Sequence, residues 1–400
     1  MEDNFRILMI APTPFFADRG CHVRIYEEAR ALQGHGCKVI LCTYHIGRDM
    51  EGIRTERIIN VPWYKKLEAG PSWQKPFLDI LLLINSFRVA RSFKPHIIHA
   101  HLHEGAFIGR FVSRWFSIPL LFDYQGSMTA EMADHEFLEK GGIFFRALRR
   151  LERWIDKGAD IIVPSSSGSA AHLISEFNIP IEKVRTVIDG VDTDIFRPEY
   201  GADDLRERLG LPKGRKVVVY LGLLNEYQGV DLLLDAARDV VKNAPEAHFL
   251  IMGYPDVEKY REMADKMGIS SNVTFTGRID YGEAPRYLCL GDVAVSAKLS
   301  KTEANGKIFN YMAAGLPTVC FDTSINREIL GDVGIYAEFG NKDSLASAIV
   351  SILSDPEGFA RLKVSVRKRA VEELSWRKAG EKMLAIYKDI SSPPPRQASL

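Results

Sequence analysis

Short apolar runs, each followed by a longer stretch of helical periodicity, recur along this chain, and that alternation restricts the folds open to it. Runs apolar on both sides suit strands covered on both faces, and parallel strands need crossover helices between them. Arg6–Ala11 predicts the first strand, and Val23–Gln33 a helix closed by Gly34, His35 and Gly36. Cys37–Cys42, Ile97–Ala100, Leu120–Asp123, Asp160–Pro164 and Val184–Ile188 continue the strand pattern. A second cycle begins at Lys216–Leu221, with a helix over Val230–Val241 and further strands at His248–Met252, Val273–Thr276, Val293–Ser296 and Thr318–Phe321. The charged segment 195–215, with Pro198, Gly210 and Pro212, predicts the linker between the two cycles.

The expected architecture is α/β, with two Rossmann-like domains over residues 1–190 and 191–375. A helix over 376–390 is expected to cross back to the N-terminal domain, and the proline-rich tail 391–400 to be disordered. A chain of 400 residues exceeds what one core usually serves, which agrees with two domains. Fifty-two basic against 52 acidic residues leave no net charge, which argues against a nucleic-acid partner. Five scattered cysteines without zinc-ligand spacing suit reduced thiols in a cytoplasmic setting. The apolar run at the N-terminus is too short for a signal-peptide core, and the run near Phe77–Ile84 is far below membrane-spanning length.

Residues 302–317 carry the strongest chemical signal. Thr302, Glu303, Asn305 and Gly306 precede Lys307 and an apolar helix that stops at Gly315 and Pro317. A polar, glycine-containing loop feeding a helix N-terminus presents free N–H groups and a positive dipole end to an anion. Lys307 in the first turn opposes that dipole unless a phosphate neutralises it. In open α/β sheets ligands lie beyond the carboxyl ends of the strands. Two such sheets facing each other across a cleft would gather Gly20, Gln125, Gly222 and the 302–310 loop around one cavity.

Three further motifs carry a family resemblance. Ile188-Asp-Gly-Val-Asp-Thr-Asp-Ile-Phe-Arg-Pro198 resembles the P-N-G-V-D-x-x-x-F-x-P linker of the family 4 glycosyltransferases of the GT-B fold. Met312-Ala-Ala-Gly-Leu-Pro-Thr-Val319 is similar to their E-A-M-A-x-G-x-P-V segment, and Leu221–Gly229 stands where they have G-R-L-x-x-x-K-G. The resemblance runs in order along nearly the whole chain. It implies retaining transfer from a nucleotide-diphosphate sugar, held by the C-terminal domain, to an acceptor on the N-terminal domain. It implies no cofactor and no metal, the leaving diphosphate being met by helix N-termini and basic side chains. Asp192-Thr-Asp194 matches a D-x-D metal motif of another glycosyltransferase fold, but within this linker it reads as structural.

Departures from the family pattern centre on the donor. Asn310 falls at the second position of the family's Glu-x7-Glu pair and Thr302 at the first, with Glu303 one residue away. Leu223 and Gln228 replace the Arg and Lys of G-R-L…K-G, which leaves Lys307 and Lys298 as replacement cations and Asn225 as a polar helper. Gln125 stands at the family's histidine beside the transferred sugar, and Gly20 at its diphosphate-facing glycine. Arg19 or Arg24 could add charge there; for Arg24, just inside the first helix, exposure at the surface is expected ahead of a phosphate contact. Strand alternation puts His99, His101 and His103 on one face; their spacing is not that of a zinc site, and His101 is the candidate near the acceptor.

Trp63, Tyr64, Lys65, Lys66, Trp73, Lys75 and Phe77 form one aromatic and basic stretch, and Phe144–Trp154 a basic amphipathic helix. Both suit a lipid-linked acceptor and peripheral contact with the inner face of a membrane. The plainer expectation for the second is a solvated helix packing Leu148, Leu151 and Ile155 on the sheet. The expected function is thus a glycosyltransferase acting on a glycan or lipid-linked acceptor. The alternatives are a non-catalytic GT-B descendant that binds nucleotide or glycan, or a sugar-nucleotide epimerase.

Overall fold

The computed structural model describes residues 5–17, 20–67, 73–134, 139, 141–198, 201–300 and 305–391. The chain divides into two compact units, one of residues 1–189 with 376–400 and one of residues 190–375. The segment 195–215, expected as the linker, lies inside the second unit and carries a short helix instead.

Unit 1 runs β1 (Arg6–Ala11), α1 (Gly20–Gly34), β2 (Lys38–Thr43), β3 (Arg54–Arg57), α2 (Lys75–Phe93) and β4 (Ile97–His101). It continues with α3 (Leu102–Phe116), β5 (Leu120–Tyr124), α4 (Met128–Asp134), α5 (Ile143–Asp156), β6 (Ile161–Pro164) and α6 (Ser167–Phe177). Its strands pair in parallel in the order β3-β2-β1-β4-β5-β6. Every residue of β4 and β5 is buried, as strands covered on both faces must be. Alternation along β1 sends Leu8 and Ile10 to a core layer shared with Leu78, Leu82 and Ile108. Ile7 and Met9 enter the opposite layer with Ile25, Ala29 and Leu32.

Unit 2 holds α7 (Asp203–Arg208), β7 (Lys216–Leu221), α8 (Val230–Asn243), β8 (Ala247–Met252), α9 (Val257–Lys266), β9 (Val273–Gly277), α10 (Ala284–Leu288) and β10 (Val293–Ser296). After these come α11 (Gly306–Ala313), β11 (Thr318–Phe321), α12 (Ser324–Leu330), β12 (Ile335–Ala337), α13 (Lys342–Leu353) and α14 (Pro356–Glu372). The parallel strand order is β12-β11-β10-β7-β8-β9. Counting from its own first strand, this is the doubly wound order of unit 1, so both sheets reverse direction beside their first strand. Those switch points lie between β1 and β4 and between β7 and β10.

The last helix, α15 (Trp376–Ser391), packs on α1 and buries Trp376, Met383 and Tyr387 in the unit 1 core. The strand expected over Val184–Ile188 does not form: Val184 makes one isolated bridge to Ile162, at the edge after β6. Two strands escaped the sequence pattern, β3 because it is charged at both ends and β12 because it is only three residues long.

Candidate functional site

In unit 2 the switch point puts Gly222 after β7 and Lys298 just after β10, and α11 brings Lys307 to the same place. Lys307 Nζ donates to Gln228 Oε1 at 2.7 Å and to the Tyr220 hydroxyl at 3.3 Å, and lies 4.4 Å from the Tyr220 ring centre. A Cβ on Gly222 would sit 2.8 Å from that nitrogen, so the glycine leaves the room the lysine occupies. Gln228 is itself set by Asn225, whose Oδ1 accepts the Gln228 N–H at 2.9 Å. Burial, with the neighbouring Lys298 charge adding to it, lowers the Lys307 ammonium to about 7. Among the described residues no carboxylate pairs with it: a cation is held by a neutral amide and an aromatic hydroxyl, poised for an anion.

The rest of the expected donor set divides by where each side chain turns. Gly306 is exposed at the first position of α11, and Asn310 is partly exposed one turn further on. Asn305 corrects the expectation of a ligand contact. Its side chain is buried, bonded to Ser296 Oγ at 3.0 Å and Asn326 Oδ1 at 3.1 Å, and so ties the loop to β10 and α12. Thr302 and Glu303 lie outside the described residues. Asp192 Oδ1 accepts the N–H groups of Asp194 and Ile195 at 3.0 Å each, which makes the D-x-D match a local turn.

In unit 1 the corresponding end of the sheet carries a buried charged network centred on Asp123, the fourth residue of β5. Arg24 Nη2 lies 2.7 Å from Asp123 Oδ1 and 3.0 Å from Glu28 Oε1, and Nη1 pairs with Asp189. Arg24 is thus only 4% exposed, not at the surface as expected, because three carboxyl groups surround it. Burial alone would raise the Asp123 carboxyl, but Arg24, with His101, holds it well below the usual range. Burial pushes the Glu28 carboxyl well up, and Arg24 only partly offsets this. Losing one partner of such a network costs about 3–5 kcal/mol, since the remaining charges stay buried.

Asp123 Oδ2 in turn receives the Gln125 amide N–H₂ at 2.8 Å and faces His101 Nδ1 at 3.0 Å. Gln125 remains partly exposed, so its Oε1 is the group of this chain of contacts available to a sugar hydroxyl. His101, expected near the acceptor, is fully buried, and Asp123 stands between it and Gln125. Nor do the three histidines share a face. β4 ends at His101, Leu102 turns through a left-handed φ of 62°, and His103 starts up α3. It there faces Glu152 and Asp156 of α5, at 3.4 and 3.5 Å; burial opposes its proton, but Asp156 and Glu152 raise it. Gly20, the first residue of α1, is exposed, with nothing within 4 Å of a Cβ built on it.

Two family models cover most of the chain between them. Residues 19–190 match the glycosyl transferase 4-like domain, and residues 202–369 match glycosyl transferases group 1. The chain belongs to the family 4 glycosyltransferases of GT-B type. Sulfoquinovosyl transferase SQD2 of Arabidopsis thaliana is 24% identical over 387 residues, 94% of this chain and 72% of that one. Alpha-monoglucosyldiacylglycerol synthase of Streptococcus pneumoniae is 23% identical over 340 residues, 83% of this chain and 74% of the relative. A crystal structure of Anabaena Alr3699/HepE in complex with UDP superposes with a TM-score of 0.78 at 16% identity, over 96% of this chain and 100% of that one. That last likeness concerns the fold.

As a nucleotide-sugar-dependent glycosyltransferase, the enzyme departs from the family pattern within unit 2. At the family lysine of G-R-L…K-G stands Gln228, and its amide oxygen accepts from Lys307 of α11. Sequence reading missed Tyr220 and Asp123, the two side chains that orient Lys307 and Gln125. Each is a polar group inside an otherwise apolar strand, and that is the signal by which both are found.

The glycosyltransferase's α5 meets the plainer expectation only in part, with Leu148 half-buried and Leu151 exposed. Ile155 is buried, but so are Glu152 and Asp156, whereas Ile143, Phe144, Leu151 and Trp154 are exposed beside Arg146 and Arg150. Elsewhere in unit 1, Trp63, Trp73 and Phe77 are exposed as well. No described helix is long and apolar enough to cross a membrane.

Proposed function

We propose that the enzyme transfers a sugar, with retention of anomeric configuration and without a metal, from a nucleotide-diphosphate sugar to a lipid-linked acceptor at the inner face of a membrane. The observation that carries the donor half is Lys307, held by Gln228 and Tyr220 at the carboxyl end of β7. As the glycosidic bond to the diphosphate breaks, negative charge grows on the leaving phosphate, and a preorganised ammonium stabilises it there more than in the ground state. The N–H groups at the start of α11 add to this. Asn310 is the ribose contact, a neutral one where the family pattern has a carboxylate. Gln125, fixed by Asp123, orients the sugar; a front-face departure and attack needs no protein nucleophile.

The acceptor half is supported by the exposed apolar and basic face of α5, and by the diacylglycerol named in one relative's product. Thermal unfolding against UDP-, GDP-, ADP- and dTDP-sugars, with wild type and Lys307→Ala, tests the donor site. Saturation at about 100 times Kd adds about 2.7 kcal/mol of apparent stability. One nucleotide stabilising the wild type but not the variant is the expected result; equal stabilisation of both rejects Lys307 as the diphosphate contact.

A further inference from the structure

Beneath Gln125, the buried network of unit 1 contains an arrangement that the transfer reaction above does not use. Glu28, His99 and His101 each offer one ligand atom, all within 4.8 Å of one another. Each residue is 3% exposed or less. The two imidazoles stack with ring centres 4.5 Å apart, and both have their Nδ1 side held: His99 by the Tyr387 hydroxyl at 2.7 Å, His101 by Asp123 at 3.0 Å. Among the described residues both Nε2 atoms lack a hydrogen-bond partner, although they are fully buried. His99 Nε2 and Glu28 Oε2 stand 3.5 Å apart, against about 3.4 Å for the edge of a tetrahedron with zinc–ligand distances near 2.1 Å.

We propose that Glu28, His99 and His101 bind a divalent transition-metal ion, with zinc the best match to two nitrogens and one oxygen. Asp123 and Tyr387 are the outer partners that orient metal-ligating imidazoles, a carboxylate and a hydroxyl on the far ring nitrogen. Arg24 takes the other oxygen of Glu28, Oε1, and so orients the carboxylate without covering Oε2. The charge count agrees. Glu28, Asp123 and Asp189 set three carboxyl groups against the single guanidinium of Arg24, and a divalent ion balances the other two. The ion ties α1 to β4 below Gln125, within unit 1.

The test is the metal content of the full-length chain, made without a histidine tag in zinc-supplemented medium and measured by plasma mass spectrometry. About one zinc per chain is expected in wild type, with at least a fivefold loss in Glu28→Gln and His99→Gln, as removal of a direct ligand should exceed the tenfold cost of an outer partner. Cobalt in place of zinc should give visible d–d absorption that the same variants lack. Zinc content at background, with no rise in Tm on adding Zn²⁺, overturns the proposal and leaves protons as what balances the cluster. Unchanged zinc in both variants overturns it too, by placing the metal elsewhere. Should both variants fail to fold, Tyr387→Phe decides. It removes one hydroxyl and is expected to weaken zinc about tenfold in chelator competition; an unchanged affinity counts against the site.

Discussion

With Lys307 as the proposed diphosphate contact, the strength of donor binding depends on pH. Its ammonium sits near 7 without a ligand because burial and Lys298 both disfavour the charge. A diphosphate favours the charged form, so binding above pH 7 must take up a proton. The sign follows: affinity is full where the lysine is already protonated and falls as pH rises past 7, by up to about tenfold per unit. The second ionisation of a phosphate, near 6, is complete by then and does not oppose the trend. Calorimetric titration of the cognate nucleoside diphosphate between pH 6 and 9 should show that decline, with proton uptake detectable in buffers of different ionisation enthalpy. Lys307→Ala should bind more weakly and with no such slope. A wild-type affinity that is flat from pH 6 to 9 would separate the ammonium from the diphosphate.

At the scale of elements, the loop after β7 shows how closely two backbones approach at this site. Gly229 has a φ of 70°, and a Cβ there would come within 1.9 Å of the Ala297 carbonyl oxygen. Gly229→Ala should therefore destabilise unit 2 by about 2–4 kcal/mol, combining left-handed strain with overpacking, as read from denaturant unfolding. Donor binding should fall with it, since Gln228 precedes that turn. The second element is α5. Its buried acids pair with His103, which leaves Ile143 and Phe144 outward; Phe144→Glu should lower co-sedimentation with anionic vesicles while leaving Tm within about 0.5 kcal/mol equivalent. Undiminished vesicle binding would remove α5 from the membrane contact.

These elements also show what is legible in the residue pattern. Apolar strands such as β1, β7 and β8 declare themselves because both faces are covered. Edge strands such as β3 are half solvated and so need not be apolar. The turn of α5 was illegible because burying Glu152 and Asp156 depends on His103, which is distant in sequence. Lys307 was legible from Asn-Gly-Lys before an apolar helix, but nothing local marks Asn305 as turned inward toward Ser296 and Asn326.

For the molecule as a whole, the decisive feature is that one unit is continuous in sequence and the other is not. Residues 190–375 contain every strand of the second sheet, both ends of its core and the Lys307 site. Residues 1–189 lack α15, which supplies Trp376, Met383, Ile386 and Tyr387 to the layer formed with Ile25, Ala29 and Leu32. Each fully buried side chain of this size contributes about 1.5–3 kcal/mol, so losing four exceeds much of the 5–15 kcal/mol by which a domain is stable. Expressed alone, 190–375 should melt cooperatively by circular dichroism and still be stabilised by the nucleoside diphosphate. The fragment 1–189 should lack a cooperative transition, and adding 376–391 in trans or through a short linker from residue 189 should restore one. A cooperative 1–189 would show that α15 covers α1 without being needed to fold it. A 190–375 fragment that folds but ignores the nucleotide would mean that donor binding requires residues of unit 1.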